Sequence, residues 1–348
     1  MKKILFIMPS LRAGGAERVV THLANGLSRR GYKISIALTK WNEIQYHLEK
    51  RINVYYIGKE NSTVIQQIQF IRKIILSDQA QTVISFITMQ NLYTILASFG
   101  LKNKIIVSER NDPSKTVPNK FINFLRSILY LGTDRIVFQT QDAKNYFWYK
   151  IRAKGVIIGN PLSEDLPQPY VGNRDKTLVS VARLEKQKNI HMLLDVCKNV
   201  FDKHPEYHLE IYGVGSLEQE LKQYAYGLEI ASKTVFKGYQ NKVPEKIRKA
   251  TAFLLTSDYE GISNAMLEAL AVGVPCICTD CPIGGAKTYI CSMENGILVS
   301  PGDTITFTEA VLKVIEDEQL QKTLSENAIQ IIDQLSQDRI LKKWVELI

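Results

Sequence analysis

The sequence predicts an α/β fold of two Rossmann-like, doubly wound domains facing across a cleft. Three observations carry this reading. Short apolar runs rich in β-branched residues alternate with helical patterns along the whole chain, as parallel strands covered by helices require. The alternation stops at Asn160–Pro169, where Pro161, Pro167 and Pro169 continue neither element, and then restarts. The chain has 348 residues, which is room for about two domains.

Taken in order, the first run is Ile4–Met8, behind Lys2 and Lys3. It is only five residues long and no small-residue cleavage site follows, so Lys3–Met8 reads as a buried first strand rather than a secretion signal. A cytoplasmic protein is expected. The next candidate strands are Lys33–Leu38, Asn53–Ile57, Thr82–Phe86, Ile105–Val107, Arg135–Phe138 and Gly155–Ile158, with helices such as Ala16–Arg29 and Thr63–Leu76 between them. Beyond the prolines come strands Thr177–Val181, His208–Tyr212, Thr234–Phe236, Ala252–Thr256 and Pro275–Cys278. Helices Ile190–Phe201, Leu217–Ala225 and Asn264–Val272 lie among these strands, and the tail from about Thr306 is helical. The expected domains are residues 1–165 and 166–335, with a final helix over 336–348 packing back on the first domain. Ligands of such sheets bind beyond the carboxyl ends of the strands.

Hydrophobic residues make up 45% and charged residues 23% of the chain, which excludes a disordered chain, a collagen-like chain and a small disulfide scaffold. No apolar run approaches the roughly 20 residues that cross a bilayer. The net charge of +9 is uneven: residues 1–165 carry +13 and residues 166–348 carry −4. An excess confined to one half points that half at an anionic partner: a nucleic acid, a lipid headgroup surface or a phosphorylated substrate. No nucleic-acid-binding motif is present, and no nucleic-acid partner is expected. Phe121, Phe124, Leu125, Ile128 and Leu129 recur at helical spacing beside Lys120 and Arg126. Such a helix lies on a membrane or turns its apolar face to the core; the sequence leaves both open.

Four motifs sit where strands end. In Pro9-Ser10-Leu11-Arg12-Ala13-Gly14-Gly15-Ala16-Glu17-Arg18, Gly14 and Gly15 allow close backbone approach, and the helix start offers N–H groups to an anion. The spacing is not the dinucleotide fingerprint. In Val181-Ala182-Arg183-Leu184-Glu185-Lys186-Gln187-Lys188-Asn189, Arg183 and Lys188 leave a strand tip; arginine grips phosphate bidentately and lysine adds a point charge. Ile211-Tyr212-Gly213-Val214-Gly215 ends a strand in a Gly-x-Gly turn, and Gly238 follows another strand in the same way. The fourth motif runs from Ser257 through Glu260-Gly261-Ile262-Ser263-Asn264 to Glu268 and Pro275. Ser263 is a candidate N-cap, Gly273 and Pro275 are stop signals, and Glu268 lies one turn beyond Asn264 on the same helix side. Glu268 there can accept two ribose hydroxyls, Glu260 at the helix mouth can accept sugar hydroxyls, and the N–H groups of residues 261–264 can hold an oxygen of phosphate or sugar.

With these four motifs the chain resembles the retaining GT-B glycosyltransferases of family four over nearly its whole length. The signature is the E-x7-E block ending in Glu-Ala-Leu-Ala-Val-Gly-Val-Pro, together with Gly14-Gly15-Ala16-Glu17-Arg18 and the Arg183–Lys188 pair. The variant is similar to capsule, O-antigen and lipid-linked oligosaccharide members. The resemblance implies that residues 1–165 bind the acceptor and residues 166–335 a nucleotide sugar, expected to be UDP-linked. It implies that Arg183 and Lys188 neutralise the diphosphate, Glu268 holds the ribose, Glu260 holds the donor sugar and Gly15 puts its N–H near the diphosphate. Glu109, Arg110 and Asn111, at a strand tip of the first domain, are the implied acceptor-side residues; many members carry His where this chain has Arg110. The implied product is a glycan on a lipid carrier, with the basic first domain meeting an anionic membrane surface on its cytoplasmic side. A GT-B enzyme with a soluble acceptor or epimerase activity, and a non-catalytic nucleotide-sugar binder, are the alternatives.

Breaking an anomeric bond to a diphosphate develops negative charge on the leaving group. A metal held by Asp-x-Asp is one solution, but the sequence has no such motif. Fixed positive charge and helix dipoles are the other, and no metal or cofactor is expected. Cys276, Cys278, Cys281 and Cys291 suggest zinc on count alone, but Cys276 and Cys278 sit in an apolar strand that explains them as core. The histidines show no metal-ligand spacing. Gly284-Gly285-Ala286-Lys287-Thr288 is read equally as a donor-facing turn or a plain Gly-Gly turn.

Overall fold

The computed structural model describes residues 2–12, 14–40, 44–57, 62–170 and 172–348. The chain forms two compact units, Met1–Pro161 with Leu335–Ile348, and Leu162–Gln334.

The first unit runs β1 (Lys3–Met8), α1 (Gly15–Arg29), β2 (Lys33–Leu38), β3 (Asn53–Tyr56), α2 (Val64–Asp78), β4 (Thr82–Phe86), α3 (Thr88–Ala97), β5 (Lys104–Ser108), α4 (Lys120–Tyr130), β6 (Arg135–Phe138), α5 (Gln141–Asn145), α6 (Tyr149–Arg152) and β7 (Gly155–Ile157). Among the described residues its seven strands pair in the order β3-β2-β1-β4-β5-β6-β7, all parallel. Strands covered on both faces must be apolar on both, which is why KILFIM and KISIAL lack an alternating pattern. Helix α2 is fixed at its start by a capping box: Gln66 N donates to Thr63 Oγ1 at 3.3 Å, and Thr63 N donates to Gln66 Oε1 at 2.9 Å.

Helix α4 departs from one sequence alternative. Its apolar stripe does not face the core: Phe121 is 71% and Phe124 64% exposed, and Ile128 is also exposed, while Arg126 and Tyr130 are buried. The buried polar face is held by its own partners. Arg126 donates to Pro113 O at 2.9 Å, Asn123 Oδ1 at 2.6 Å and Thr116 Oγ1 at 3.1 Å, and its guanidinium lies 4.9 Å from the Phe147 ring centre.

The second unit runs β8 (Asp175–Val181), α7 (Ile190–Lys203), β9 (His208–Tyr212), α8 (Glu218–Gly227), β10 (Thr234–Gly238), α9 (Val243–Ile247), β11 (Ala250–Leu255), α10 (Asn264–Ala271), β12 (Cys276–Thr279), β13 (Ile297–Val299), α11 (Thr304–Glu316), α12 (Glu318–Ala328) and α13 (Ile331–Gln334). Its strands pair in the order β10-β9-β8-β11-β12-β13, again all parallel. Leu178, Leu209, Ile211, Leu254 and Ile277 from the sheet meet Leu194, Cys197, Phe307 and Val311 from the helices in one buried core.

The last helix, α14 (Gln337–Val345), belongs to the first unit. Trp344 is fully buried and stacks on Phe86 with ring centres 5.7 Å apart, Arg30 pairs with Asp338 at 2.5 Å, and Lys2 Nζ donates to Ile348 O at 3.0 Å. A Cβ on Gly26 of α1 would come within 2.4 Å of Leu341 Cδ1, so glycine there lets α14 lie close.

Candidate active site

In the second unit the strand order reverses between β8 and β11. A doubly wound sheet opens a ligand crevice at that switch point, beyond its carboxyl ends. The two flanking loops are residues 182–189 and 256–263, and they carry Arg183, Lys188 and Glu260.

The first loop is built on close backbone contact. Ala182 N donates to Tyr212 O at 2.9 Å and Leu184 N to Val214 O at 3.1 Å, which extends the β8–β9 pairing past the strand ends. A Cβ on Gly213 would sit 1.9 Å from Ala182 O, and one on Gly215 would sit 2.2 Å from Leu184 O. Gly213 also has φ +136, a conformation L side chains rarely adopt. Its N–H donates to Gly238 O at 2.9 Å. Its lack of a side chain lets the Arg183 loop approach. Gly238 accepts that bond at φ +65, where a Cβ would meet nothing within 4 Å. Arg183 itself is exposed, and its carbonyl accepts from Glu185 N at 2.9 Å.

Lys188 and Glu260 form the centre. Lys188 Nζ donates to Glu260 Oε2, with side chains only 10% and 15% exposed. Ser257 Oγ donates to the same oxygen at 3.3 Å. Among the described residues Oε1 of Glu260 accepts no hydrogen bond, so one carboxylate oxygen is uncommitted. The two loops are laced together around this pair. Asp258 N donates to Gln187 O at 3.0 Å, Gln187 Nε2 to Tyr259 O at 2.8 Å, and Asn189 Nδ2 to Asp258 Oδ1 at 2.8 Å. Thr256 Oγ1 donates to Lys188 O at 3.1 Å. Sequence reasoning missed this lacing. Asn189 carried one signal for it: an Asn directly before a helix is a cap, and its Oδ1 accepts from Met192 N at 3.3 Å.

The turn after Glu260 starts α10. Gly261, Ile262 and Ser263 are buried, and Ser263 Oγ accepts from Met266 N at 3.3 Å as its N-cap. Asn264 opens the helix, and Glu268 is buried one turn on. The Gly284–Gly285 turn packs directly beneath: a Cβ on Gly285 would lie 1.6 Å from Gly261 O. The strand tip of β12 braces the same region, with Thr279 Oγ1 donating to Ser257 O at 2.6 Å and Cys281 Sγ to Ser257 O at 3.1 Å. Burial pushes the Cys281 thiol up to about 11 and raises Cys276 and Cys278 as well. Among the described residues no group of three or more His, Cys, Asp or Glu side chains is placed to hold a metal ion.

In the first unit the order reverses between β1 and β4. Gly14 precedes α1 in an extended conformation, and Tyr46 Oη donates to its carbonyl at 3.1 Å. Gly15 is exposed at the first helical position; Ala13 lies outside the described residues. After β4, Ile87 has φ +74, a strained conformation for a β-branched residue.

Beyond β5 the implied acceptor-side residues separate. Glu109 is buried. Its Oε2 accepts from Thr88 Oγ1 at 2.8 Å, its Oε1 accepts from Tyr130 Oη, and Arg126 Nη1 lies 3.7 Å away. Burial, then the charge of Glu109, hold the Tyr130 phenol well above its usual range, so it stays a donor. Asn111 is turned to its own chain, its Oδ1 accepting from Asp112 N at 2.8 Å. Arg110 is half-buried. It donates to Asn160 Oδ1 at 2.8 Å and lies over the Phe86 ring at 4.5 Å and the Trp344 ring at 5.9 Å.

Residues 164–331, which hold the β8–β11 crevice, match the family described as glycosyl transferases group 1. Over 352 residues the chain is 28% identical to an uncharacterized glycosyltransferase of Haemophilus influenzae, covering 99% of each. Over 367 residues it is 29% identical to the GalNAc-alpha-(1->4)-GalNAc-alpha-(1->3)-diNAcBac-PP-undecaprenol alpha-1,4-N-acetyl-D-galactosaminyltransferase of Campylobacter jejuni, covering 100% of this chain and 98% of that one. Residues 164–331 thus form a group 1 glycosyltransferase region, and the chain is similar to glycosyltransferases over its full length. This glycosyltransferase is therefore an enzyme, of the hexosyltransferase class. Its fold is similar to that of HepE of Anabaena, solved in complex with UDP and glucose, at 18% identity and a TM-score of 0.85 over 99% of each chain. Two Rossmann-like parallel units make it a GT-B glycosyltransferase. Among the described residues no helix is long and apolar enough to cross a membrane.

Proposed function

We propose that this glycosyltransferase moves a hexose or N-acetylhexosamine from a UDP-sugar to a lipid-linked glycan in surface polysaccharide or oligosaccharide synthesis. It retains anomeric configuration and needs no metal. The observation that carries the reading is the buried Lys188–Glu260 pair at the β8–β11 switch point, with exposed Arg183 on the same loop. The two charges of the pair suit the two sides of the bond that breaks. Lys188 and Arg183 meet the diphosphate, and Glu260 accepts sugar hydroxyls on its uncommitted oxygen. Glu268, one turn into α10, takes the ribose hydroxyls, and the N–H groups at the start of α10 add positive potential.

As the anomeric carbon–oxygen bond breaks, its electron pair moves to the leaving phosphate oxygen. The acceptor hydroxyl oxygen forms the new bond on the face the diphosphate leaves, and its proton passes to that phosphate oxygen. Glu260 and Glu268 are not an acid and base pair in this scheme, since both hold hydroxyls. Fixed cations in a partly dry site stabilise the developing charge without reorganising; one such donor is typically worth about 10²–10³ in turnover. UDP as the donor nucleotide is supported by its presence in the HepE complex, and a polyprenyl diphosphate acceptor by the Campylobacter transferase.

A donor-hydrolysis screen of UDP-, GDP- and ADP-sugars, each with and without EDTA, checks this. UDP-sugars are expected to be hydrolysed fastest, at a rate EDTA leaves unchanged. Loss of hydrolysis in EDTA, or preference for another base, contradicts the proposal.

A further inference from the structure

We propose that the second unit carries a binding cleft for a small organic anion, at the end of its sheet away from the β8–β11 crevice. The strands of that sheet are all parallel, so their amino ends share one side. There Arg174 and Lys176 sit at the start of β8, Tyr207 precedes β9, Thr251 sits at the start of β11, and Gly273 lies between α10 and β12. One face of α12, from Glu318 through Gln321 and Lys322 to Ser325, closes the side. These residues line a cleft of about 610 Å³. That falls in the range of small-molecule sites, about 300–1,000 Å³, and far exceeds what a single inorganic ion requires.

The charge balance selects an anion. Half-buried Arg174 donates from Nη1 to Arg248 O at 3.2 Å and Ala250 O at 2.9 Å, and from Nη2 to Gly273 O and Ser325 Oγ. All four acceptors are neutral, and among the described residues no carboxylate pairs with this guanidinium. Desolvation draws its pKa down to about 10; a carboxylate partner would oppose that shift. Arg174 is thus a fixed positive charge in the cleft wall that lacks a counter-charge. Lys176 and Lys322 add mobile ammonium groups, and Lys249 Nζ lies 5.5 Å from the ring centre of Tyr170, which also lines the cleft. The acids in the lining are Glu318 and Glu326. Lys322 is paired with Glu326 at 3.9 Å and Lys176 with Glu206 at 3.5 Å, and exposed pairs of this kind are worth little and open readily. Glu318 stands in the first turn of α12, where the helix N–H groups offset its charge. With the two pairs cancelled, Arg174 and Lys249 stand against Glu318, and half-buried Arg174 is the charge that salt screens least. The rings of Tyr170 and Tyr207 offer apolar surface to the body of the ligand. A phosphate or a carboxylate supplies its charge equally well. The cleft lies at the opposite strand ends from Lys188 and Glu260, so it does not depend on the reaction proposed above.

Isothermal titration of the intact chain with glucose 6-phosphate, citrate and neutral glucose, each at matched ionic strength and with excess UDP present, tests the proposal. At least one of the two anions is expected to bind, one per chain, with a Kd of about 1 mM or tighter, while glucose does not bind. Comparing the two anions tells phosphate from carboxylate. Arg174 is left intact, because four neutral groups rely on it. Lys176→Gln/Lys322→Gln changes only exposed side chains, and it is expected to weaken anion binding roughly tenfold with thermal unfolding unchanged. Failure of both anions to bind overturns the proposal, as does glucose binding as tightly as either anion. Undiminished binding by the lysine variant also overturns it, since the anion then sits elsewhere on the chain. An anion that binds only when UDP is left out reports the β8–β11 crevice and is equally fatal to the proposal.

Discussion

Lys188→Ala is expected to lower kcat by about 10³-fold, with the protein still folded. Two effects combine. The variant removes a fixed cation that meets the leaving diphosphate, worth about 10²–10³ in turnover for a single preorganised donor. It also leaves Glu260, whose side chain is 15% exposed, without its ion-pair partner. A carboxylate in that position is held only by Ser257 Oγ at 3.3 Å and will move. The second effect is also a stability effect, so the two must be separated. The double variant Lys188→Met/Glu260→Gln removes both charges while roughly keeping volume. It is expected to recover most of the unfolding temperature lost in the single variant and none of the turnover. Steady-state donor hydrolysis and calorimetry check both halves. A single variant that keeps turnover within about tenfold is incompatible with Lys188 meeting the diphosphate.

Gly285→Ala is expected to be nearly as damaging, from a residue that bears no functional group. The added Cβ would lie 1.6 Å from Gly261 O and 2.6 Å from Gly261 C, and a backbone carbonyl cannot rotate aside as a flexible side chain can. The turn Gly261–Ser263 must shift, and with it the start of α10 and the N-cap bond from Met266 N to Ser263 Oγ. Overpacking of this kind costs about 1–3 kcal/mol of stability. A misplacement near 1 Å in a positioned site costs about 10²-fold in rate. Gly227→Ala serves as the control. A Cβ there meets nothing within 4 Å and the residue ends helix α8, so that change should be neutral or slightly stabilising. Thermal unfolding and donor-hydrolysis rates of the two variants, side by side, report the contrast.

Much of the fold is legible because parallel strands covered on both faces have no freedom to be anything but apolar. Lys3–Met8 and Lys33–Leu38 are continuous hydrophobic runs for that reason. Helix α3 is not legible. It starts after Ile87 at φ +74 with no side-chain cap, and it buries Gln90, Asn91 and Thr94, so neither the start signal nor the polar face matches the usual pattern. Helix α4 shows a different limit. Periodicity groups Phe121, Phe124 and Ile128 on one side, but it cannot say which side is buried; the partners of Arg126 decide that, and they come from other segments.

The site divides in the same way. Arg183, Lys188 and Glu260 are legible as charges at strand exits. The Gly-x-Gly turn at Gly213 is legible as a tight turn, but what it approaches is not, because Ala182 and Leu184 lie about 30 residues earlier in the chain and meet it only through the β8–β9 pairing. Glu109 reads as a strand-tip acid in the sequence and turns inward in the fold, toward Thr88, Tyr130 and Arg126.

The measurement closest to the central claim is a crystal structure of the protein soaked with UDP. The account predicts the pyrophosphate within about 3 Å of the Arg183 guanidinium and the Lys188 ammonium, with the ribose hydroxyls on Glu268. A well-ordered UDP whose pyrophosphate sits elsewhere, with both cations unengaged, would contradict it.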